Sequence, residues 1–595
     1  MCGIVGVVNA KSVTKDDVWK MIDTIKYRGV DEQGVEELGR AVLGHARLAV
    51  VDPENGMQPM CSTDGKVWVV FNGEIFNFIE LREQLKAKGY KFKSRCDTEV
   101  LVHLWIEKGE KMLDDLVGMF AFFIWDQRTE TGMLARDRQG IKPCFYAEYD
   151  GGLAFASEMK AILALPKFER KVNDAALGHV FSFNYCPPPE TCFEGIRHLP
   201  PGTFMRYGNG LFSEPLRYWE WPLSGERVDA TQEELEQAID EAIKLQMRFD
   251  VDGGLFLSGG VDSSVIASRL VPQWNRPQLD AIGLRIEDKG FSEFTYAQRV
   301  ASELNINLNA LDISPGNIPE IARSVVRHAE QPHGDFSFFL LYLLSRQAHK
   351  QGKIVMFTGD GPDEVMLGFR HNEQFFAGMT RANFSMRNYF DLISYTTDKD
   401  RQRIMSPSFL PHTQRATAKF LDIVQPFADL EPMEQVAAYE LNSLMPGNNA
   451  VKGDRMGACF SIEGRAPFLD HRVSEMFARL PITSKFKNGV GKHFLKEAAT
   501  RYFDHDFVFR PKTMPTLPIG EWIKGPLFQW ARDVLALPDG GRFDNTELQV
   551  MLEEHRSGLH NHTRQLRTLL MTKLWLQEFF PQHQQHAETL HHGRL

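Results

Sequence analysis

Several features that would identify a chain quickly are missing from this one. No apolar run approaches the roughly 18 residues that a membrane span needs, and the first residues lack the charged start and long apolar core of a secretory signal. Both absences argue against a membrane partner and point to the cytoplasm. Cysteine is scarce: seven residues, odd in number and widely scattered, with no C-x-x-C pair. That excludes a disulfide framework and a paired-ligand zinc site, and leaves free thiols as the expectation. Positive charge is in deficit, with 68 Lys and Arg against 78 Asp and Glu, so the net charge of −10 excludes nucleic-acid binding through bulk electrostatics. The expected partners are small molecules, with a homodimer left open. Finally, the main glycine-serine turn contains no lysine, which excludes the phosphate loop ending in Gly-Lys-Ser/Thr.

The chain does have length. At 595 residues it is too long for one ordinary hydrophobic core, so at least two domains are expected. Its most informative stretch is the turn Leu257-Ser258-Gly259-Gly260-Val261-Asp262-Ser263-Ser264. The apolar run Gly254 to Leu257 reads as a buried parallel strand, and Val265-Ile266-Ala267 as the start of a helix packed on a sheet. Backbone N–H groups at such a helix start are unpaired and hold phosphate oxygens; glycine lets the backbone approach, and the hydroxyls add donors. The turn resembles the pyrophosphate loop of enzymes that split ATP between its α and β phosphates.

At the amino terminus, Cys2 is small enough to permit removal of Met1. The freed α-amine, with an ordinary pKa of about 7.7–8.0, would then be a base beside the thiol on the same residue. A lone terminal cysteine is usually inert, but this one heads a spaced series. Tyr27-Arg28-Gly29-Val30-Asp31, Gly44-His45-Ala46-Arg47, Phe71-Asn72-Gly73-Glu74 and Cys96-Asp97-Thr98-Glu99 follow in order. Taken singly, Asn72-Gly73 reads as a hairpin turn, and Arg47 and Asp97 as solvated surface charges. Taken together, residues 2 to about 165 resemble the class II glutamine amidotransferases, the N-terminal nucleophile glutaminases. The resemblance implies that Arg47 grips the glutamine α-carboxylate and Asp97 takes its α-ammonium. It also implies that the Asn72 amide and the Gly73 N–H form the oxyanion hole for an intermediate on Cys2, and that Glu74 helps fix the substrate. Tyr27 and Val30 depart from the histidine and proline usual in that family, which raises slower hydrolysis or a modified amide donor. Phe- and Ile-rich strands between charged turns suit antiparallel sheets layered on one another.

After a proline-bearing connector (Tyr185 to Phe193) and a boundary near 222–230, Thr231 to Met247 reads as an amphipathic helix. Strand and helix patterns then alternate as in a doubly wound parallel sheet, whose ligands sit beyond the strand carboxyl ends. The strand Leu279 to Ile286 contains Gly283, expected to let a nucleotide base approach. Ile354 to Phe357 is an apolar strand running into Thr358-Gly359-Asp360-Gly361-Pro362-Asp363-Glu364, an acidic turn of the kind that suits Mg²⁺. Lys452-Gly453-Asp454-Arg455, Glu463 to Asp470 and Gly491-Lys492-His493 match the synthetase domain of asparagine synthetases. The whole chain thus resembles the glutamine-hydrolysing asparagine synthetase family, with a glutaminase domain at 2–221 and an ATP-pyrophosphatase domain at 231–595.

That resemblance implies ATP and Mg²⁺ as cofactors, with Asp262 and Asp363 on the metal. Leu257, Ser258, Gly259, Gly260, Asp262, Ser263, Gly283, Thr358 and Gly359 would lie around the nucleotide. Asp360 would face the acceptor, and Lys492 would stabilise charge on the phosphates, with Lys452 and Arg455 as lesser candidates. An acceptor carboxylate would become an acyl-adenylate, and ammonia freed at Cys2 would reach it through an internal passage. Arg465 and Asp470 are expected as a structural ion pair or as site residues. The alternatives are a ring-closing synthetase of the β-lactam type, which needs no ammonia, and a non-catalytic homologue. A helix is expected over Thr563 to Phe580, followed by a solvated tail with His583, His586, His591 and His592.

Overall fold

The computed structural model describes residues 1–286, 293–380, 383–511 and 517–581; the histidine-bearing tail lies outside them. In the amino-terminal part the strands are β1 (Gly3–Val8), β2 (Glu32–Leu38), β3 (Ala41–Arg47), β4 (Met60–Cys61), β5 (Val67–Ile75), β6 (Gly118–Asp126) and β7 (Thr131–Arg136). They are followed by β8 (Phe145–Tyr149), β9 (Gly152–Ala156), β10 (Ile196–His198), β11 (Thr203–Gly208), β12 (Leu211–Phe212) and β13 (Leu216–Arg217). Two antiparallel sheets result. One runs β10-β8-β9-β1-β3-β2; the other runs β12-β11-β7-β6-β5-β4, with β13 also on β11.

The sheets pack face to face because alternate residues of β1 and β3 (Ile4, Val8, Leu43) meet Val70, Phe123 and Trp125 of β5 and β6, all buried. Helices cover the outer faces: Lys15–Ile25 lies on the first sheet and Thr98–Lys108 on the second. The first of these is closed at its start by a reciprocal Thr14–Asp17 capping box. This is the layered antiparallel arrangement expected for the first domain.

In the second part, β14 (Gly253–Phe256), β15 (Asp280–Ile286), β16 (Asn307–Ile313), β17 (Val355–Phe357) and β18 (Glu463–Arg465) form one all-parallel sheet. Its order is β16-β15-β14-β17-β18. The chain therefore reverses its direction of winding between β14 and β17, and the crevice beyond their carboxyl ends is where an open parallel sheet binds ligands. The Ser258 turn leaves β14 and the Asp360 turn leaves β17, so the order of strands brings these two segments together. The expected helix at the start of this part spans Gln232–Gln246, with a Thr231–Glu234 capping box. The last described helix, Thr563–Phe579, buries Leu566, Leu569, Leu570 and Trp575 against helices of both parts.

Candidate functional site

Cys2 is buried just before β1, where its carbonyl accepts a 2.8 Å bond from Arg28 Nε. Its Sγ lies 3.4 Å from the Leu48 N–H, and burial pushes the thiol pKa up. Met1 is buried as well. Its amine faces Glu463 of β18 at 3.7 Å, and burial lowers the amine pKa.

Asn72 and Gly73 lie in the middle of β5, paired with Ala121 and Phe120 of β6, so the hairpin reading is overturned. Gly73 has φ +150°, and a Cβ there would stand 2.0 Å from the Met119 carbonyl oxygen, so no other residue fits. The Asn72 amide is fully buried with neither Nδ2 nor Oδ1 partnered. Asp97 is tied to the same strand, accepting a 2.9 Å bond from Ile75 N–H. Burial raises the pKa of Asp97; burial and the Glu463 carboxylate push Glu74 well above the carboxylate range.

Arg47 and Asp97 are not surface charges: both are buried. Arg47 donates to the Val51, Asp52 and Pro53 carbonyls and, at 2.9 Å, to Glu32. Its fork is thus aimed by the loop at 51–53 while one carboxylate already rests on it. Neighbouring His45 bonds the Phe71 carbonyl, and burial depresses its pKa to about 3, so it stays neutral.

Tyr27 points away from this site. Its hydroxyl donates to Glu158 at 2.5 Å and its ring meets His328 edge-on, while Val30 is exposed. The two departures from the family pattern therefore lie on the side facing the other domain and on the surface. Arg28 forms a two-pronged pair with Asp454 at 2.8 and 2.9 Å and a third contact with Glu158 at 2.7 Å. Glu158 also holds Lys160 and Arg455, and Arg455 reaches Glu330 at 2.8 Å. Burial opposes charge on Glu158, yet these cations hold its carboxyl well below its usual range. Arg455 is thereby committed to a buried network between domains rather than to phosphate. Sequence reading gave no role for Glu158 or Glu330, whose arginine partners are far away in the chain.

In the second part, the turn after β14 folds on itself. Ser258 Oγ accepts from Gly260 N–H at 3.1 Å and meets Ser263 Oγ at 3.0 Å, while Gly259 takes φ +84°. The helix Val261–Leu270 starts there. Across the crevice, Thr358 N–H donates to the Arg465 carbonyl, Thr358 Oγ1 donates to Asp360 Oδ2 at 2.8 Å, and Gly359 packs against the Ser263 backbone. Leu257 is buried and Gly283 sits on β15, where a Cβ would crowd the Leu257 carbonyl, Leu308 and Phe294.

Lys492, from a turn 230 residues after Asp262, lies between the acids: 2.7 Å from Asp262 Oδ2 and 2.8 Å from Asp363 Oδ1. Burial opposes its charge, but the two carboxylates outweigh burial and raise its pKa. Asp262 Oδ1 is buried with no partner. Lys452 instead bonds Asp335 at 3.2 Å and Ser337 at 2.8 Å. The expected Arg465–Asp470 pair does not form. Arg465 binds Glu463 at 2.9 Å and approaches Glu74 at 3.4 Å, while Asp470 binds Arg472. All seven cysteines are free.

Residues of both domains line a cavity of about 30 Å³. Phe76, Gly118 and Met119 line it from the first part; Gln246, Gly464, Ala466 and Leu469 line it from the second. Met119 is the residue whose carbonyl limits Gly73, and Leu469 is the residue against which Gly361 of the acidic turn packs.

A family model described as a glutamine amidotransferase domain matches residues 1–219, and the asparagine synthase model matches residues 234–577. The glutamine-hydrolysing asparagine synthetase 1 of Bacillus subtilis is 29% identical, the alignment covering 97% of this chain and 96% of that protein. Asparagine synthetase 3 of the same organism is 28% identical, with 94% of each chain covered. A putative asparagine synthetase of Mycobacterium tuberculosis is 29% identical, over 93% of this chain and 92% of that one.

Proposed function

The chain belongs to the asparagine synthase family, glutamine-hydrolysing carbon–nitrogen ligases, and we propose that it couples glutamine hydrolysis at Cys2 to ATP-dependent amidation of a carboxylate. The family uses ATP. One observation supports the reading: an interdomain cavity is lined by Met119, whose carbonyl abuts Gly73, and by Leu469, which abuts Gly361 of the acidic turn.

After removal of Met1, the Cys2 amine takes the thiol proton and the sulfur attacks the glutamine side-chain carbonyl. The negative oxygen that develops is met by Asn72 Nδ2, already buried and without a partner, and by the Gly73 N–H. Arg47 receives the substrate carboxylate in place of Glu32, and Asp97 with Glu74 receives its ammonium. Collapse of the intermediate releases ammonia and leaves a thioester that water hydrolyses to glutamate.

In the crevice, the N–H groups of the Ser258–Ser263 turn hold ATP phosphate oxygens. The donor set fits Mg²⁺, because Asp262 keeps one buried oxygen free and Asp363 stands opposite; these two would hold it. The ion, when bound, neutralises phosphate charge. The acceptor carboxylate attacks the α-phosphorus and pyrophosphate leaves, with Lys492 countering the developing charge. Ammonia then displaces AMP from the acyl-adenylate, and Asp360, which accepts a bond from Thr358 Oγ1, takes its proton. The chain acts in the cytoplasm, and a homodimer is compatible with this reading.

Incubation with MgATP, glutamine and aspartate, followed by a panel of other carboxylic acids, tests the proposal. Release of AMP, pyrophosphate and glutamate is expected. ATP cleavage to ADP would sink the reading, and AMP formation that needs no amide donor would favour the ring-closing alternative.

A further inference from the structure

Gln246 is the last residue of the helix Gln232–Gln246, and it reaches the interdomain cavity. Helix ends leave carbonyls unpaired. Here the Gln246 carbonyl is taken by Arg465 Nη1, and Arg465 is in turn held by Glu463 and flanked by Glu74. The backbone at 246 is therefore pinned to the strand that borders both sites.

The side chain is treated differently. Gln246 is 2% exposed, and its Oε1 is buried with no hydrogen-bond partner. Leaving such an acceptor unsatisfied is costly, and a transient donor removes the penalty. The other polar side chains lining the cavity are not equivalent. Asp470 is bound to Arg472, and His471 is kept neutral because burial, then Arg138, pulls its pKa down to about 4. The remaining lining is glycine, alanine and apolar side chains. At about 30 Å³ the space suits one small molecule of water size.

We propose that Gln246 Oε1 is a relay acceptor for ammonia. It receives an N–H of neutral ammonia crossing from the Asn72–Gly73 side and releases it past Leu469 toward the Asp360 turn. The proposal rests on the function stated above and deepens it: the amide supplies one weak, uncharged stopping point in a passage otherwise nearly apolar. A carboxylate or an ammonium side chain there would trap or repel the cargo or change its protonation; an amide does neither. Gln246 makes and breaks no covalent bond.

The test is the number of glutamates released per AMP formed, measured at saturating glutamine, MgATP and acceptor on the full-length wild type and on Gln246→Leu. Gln246→Met, with its longer unbranched apolar side chain, repeats the comparison should the Leu variant fold poorly. Glutamate release alone, and AMP formation driven by added ammonium salt, report whether each half is intact. The wild-type ratio is expected near one, and the Leu and Met variants are expected to release at least about threefold more glutamate per AMP, since ammonia escapes instead of arriving. An unchanged ratio in a folded variant overturns the relay while leaving the function standing. A wild type in which glutamine never drives AMP formation overturns the function and the relay with it.

Discussion

In the amino-terminal site the Asn72 amide is fully buried with both polar atoms unpartnered, whereas in the carboxy-terminal site the Lys492 ammonium is clasped between Asp262 and Asp363. The first site holds neutral donors in a closed box between two sheets, where desolvation makes each N–H strong toward a new oxyanion. The second holds strong charges that neutralise one another at the mouth of a crevice until phosphate arrives. The difference follows from the reactions proposed. An amide carbonyl gains one charge in place, so the donors wait for it; a nucleotide brings several charges with it, so the site stores matching ones in balanced form.

The sharpest way to break this comparison is to remove one site and keep the other. Cys2→Ala is expected to lower glutamine-driven amide formation by on the order of 10³-fold or more, while ammonium-driven formation continues. Loss of both would show that the two sites are not separable as drawn here. Lys492→Ala removes the cation between the two acids and is expected to lower AMP formation at least ~10²-fold with either nitrogen source. Glutamate release from glutamine should persist; a collapse of both would mean that Lys492 acts through folding.

Asn72→Ala sharpens the contrast further. It deletes a donor that has no partner in the resting protein, so glutaminase kcat should fall by about 10²–10³ while thermal stability holds or rises. The glutaminase rate and the melting temperature of one preparation give both numbers. Lost stability with unchanged rate would mean that the amide is structural rather than held ready for the oxyanion.

The two sites also differed in how readily the chain disclosed them. The Ser258 turn was legible because everything it needs is local: a strand end, small residues and a helix start within eight positions. The layered antiparallel and parallel sheets were legible from strand patterns for the same reason. Asn72-Gly73 read alone is a hairpin signal; its place in the spaced series with Cys2 already argued against that, and its pairing inside β5 excludes it. Arg465 was expected near Asp470, five residues away, but it binds Glu463 and approaches Glu74, because β18 lies against the first domain. The buried Arg28–Glu158–Arg455–Glu330 network had no local trace at all, since its members come from four separate elements. Gln246 looked like an ordinary polar residue at the end of an amphipathic helix, and it gains meaning only from a cavity that the first domain closes.

The smallest expected effect concerns charge held in reserve beside Lys492. Glu364 is buried, accepts from Asn449 at 2.5 Å, and has its pKa raised to about 8 by burial and by Asp363. The folded state therefore binds this proton more tightly than the unfolded chain, where a carboxyl titrates near 4.3. Its stabilising contribution is complete below that value and is lost progressively as pH rises toward 8. Gln at this position is neutral at every pH and of similar shape, so Glu364→Gln should raise the melting temperature by a few degrees at pH 8 and by little at pH 5. Melting curves of both proteins at the two pH values isolate the effect, because every other titrating group cancels in the difference. An equal shift at both would mean that Glu364 is ionised in the folded protein, and the balance of charge around Lys492 would then have to include a third acid.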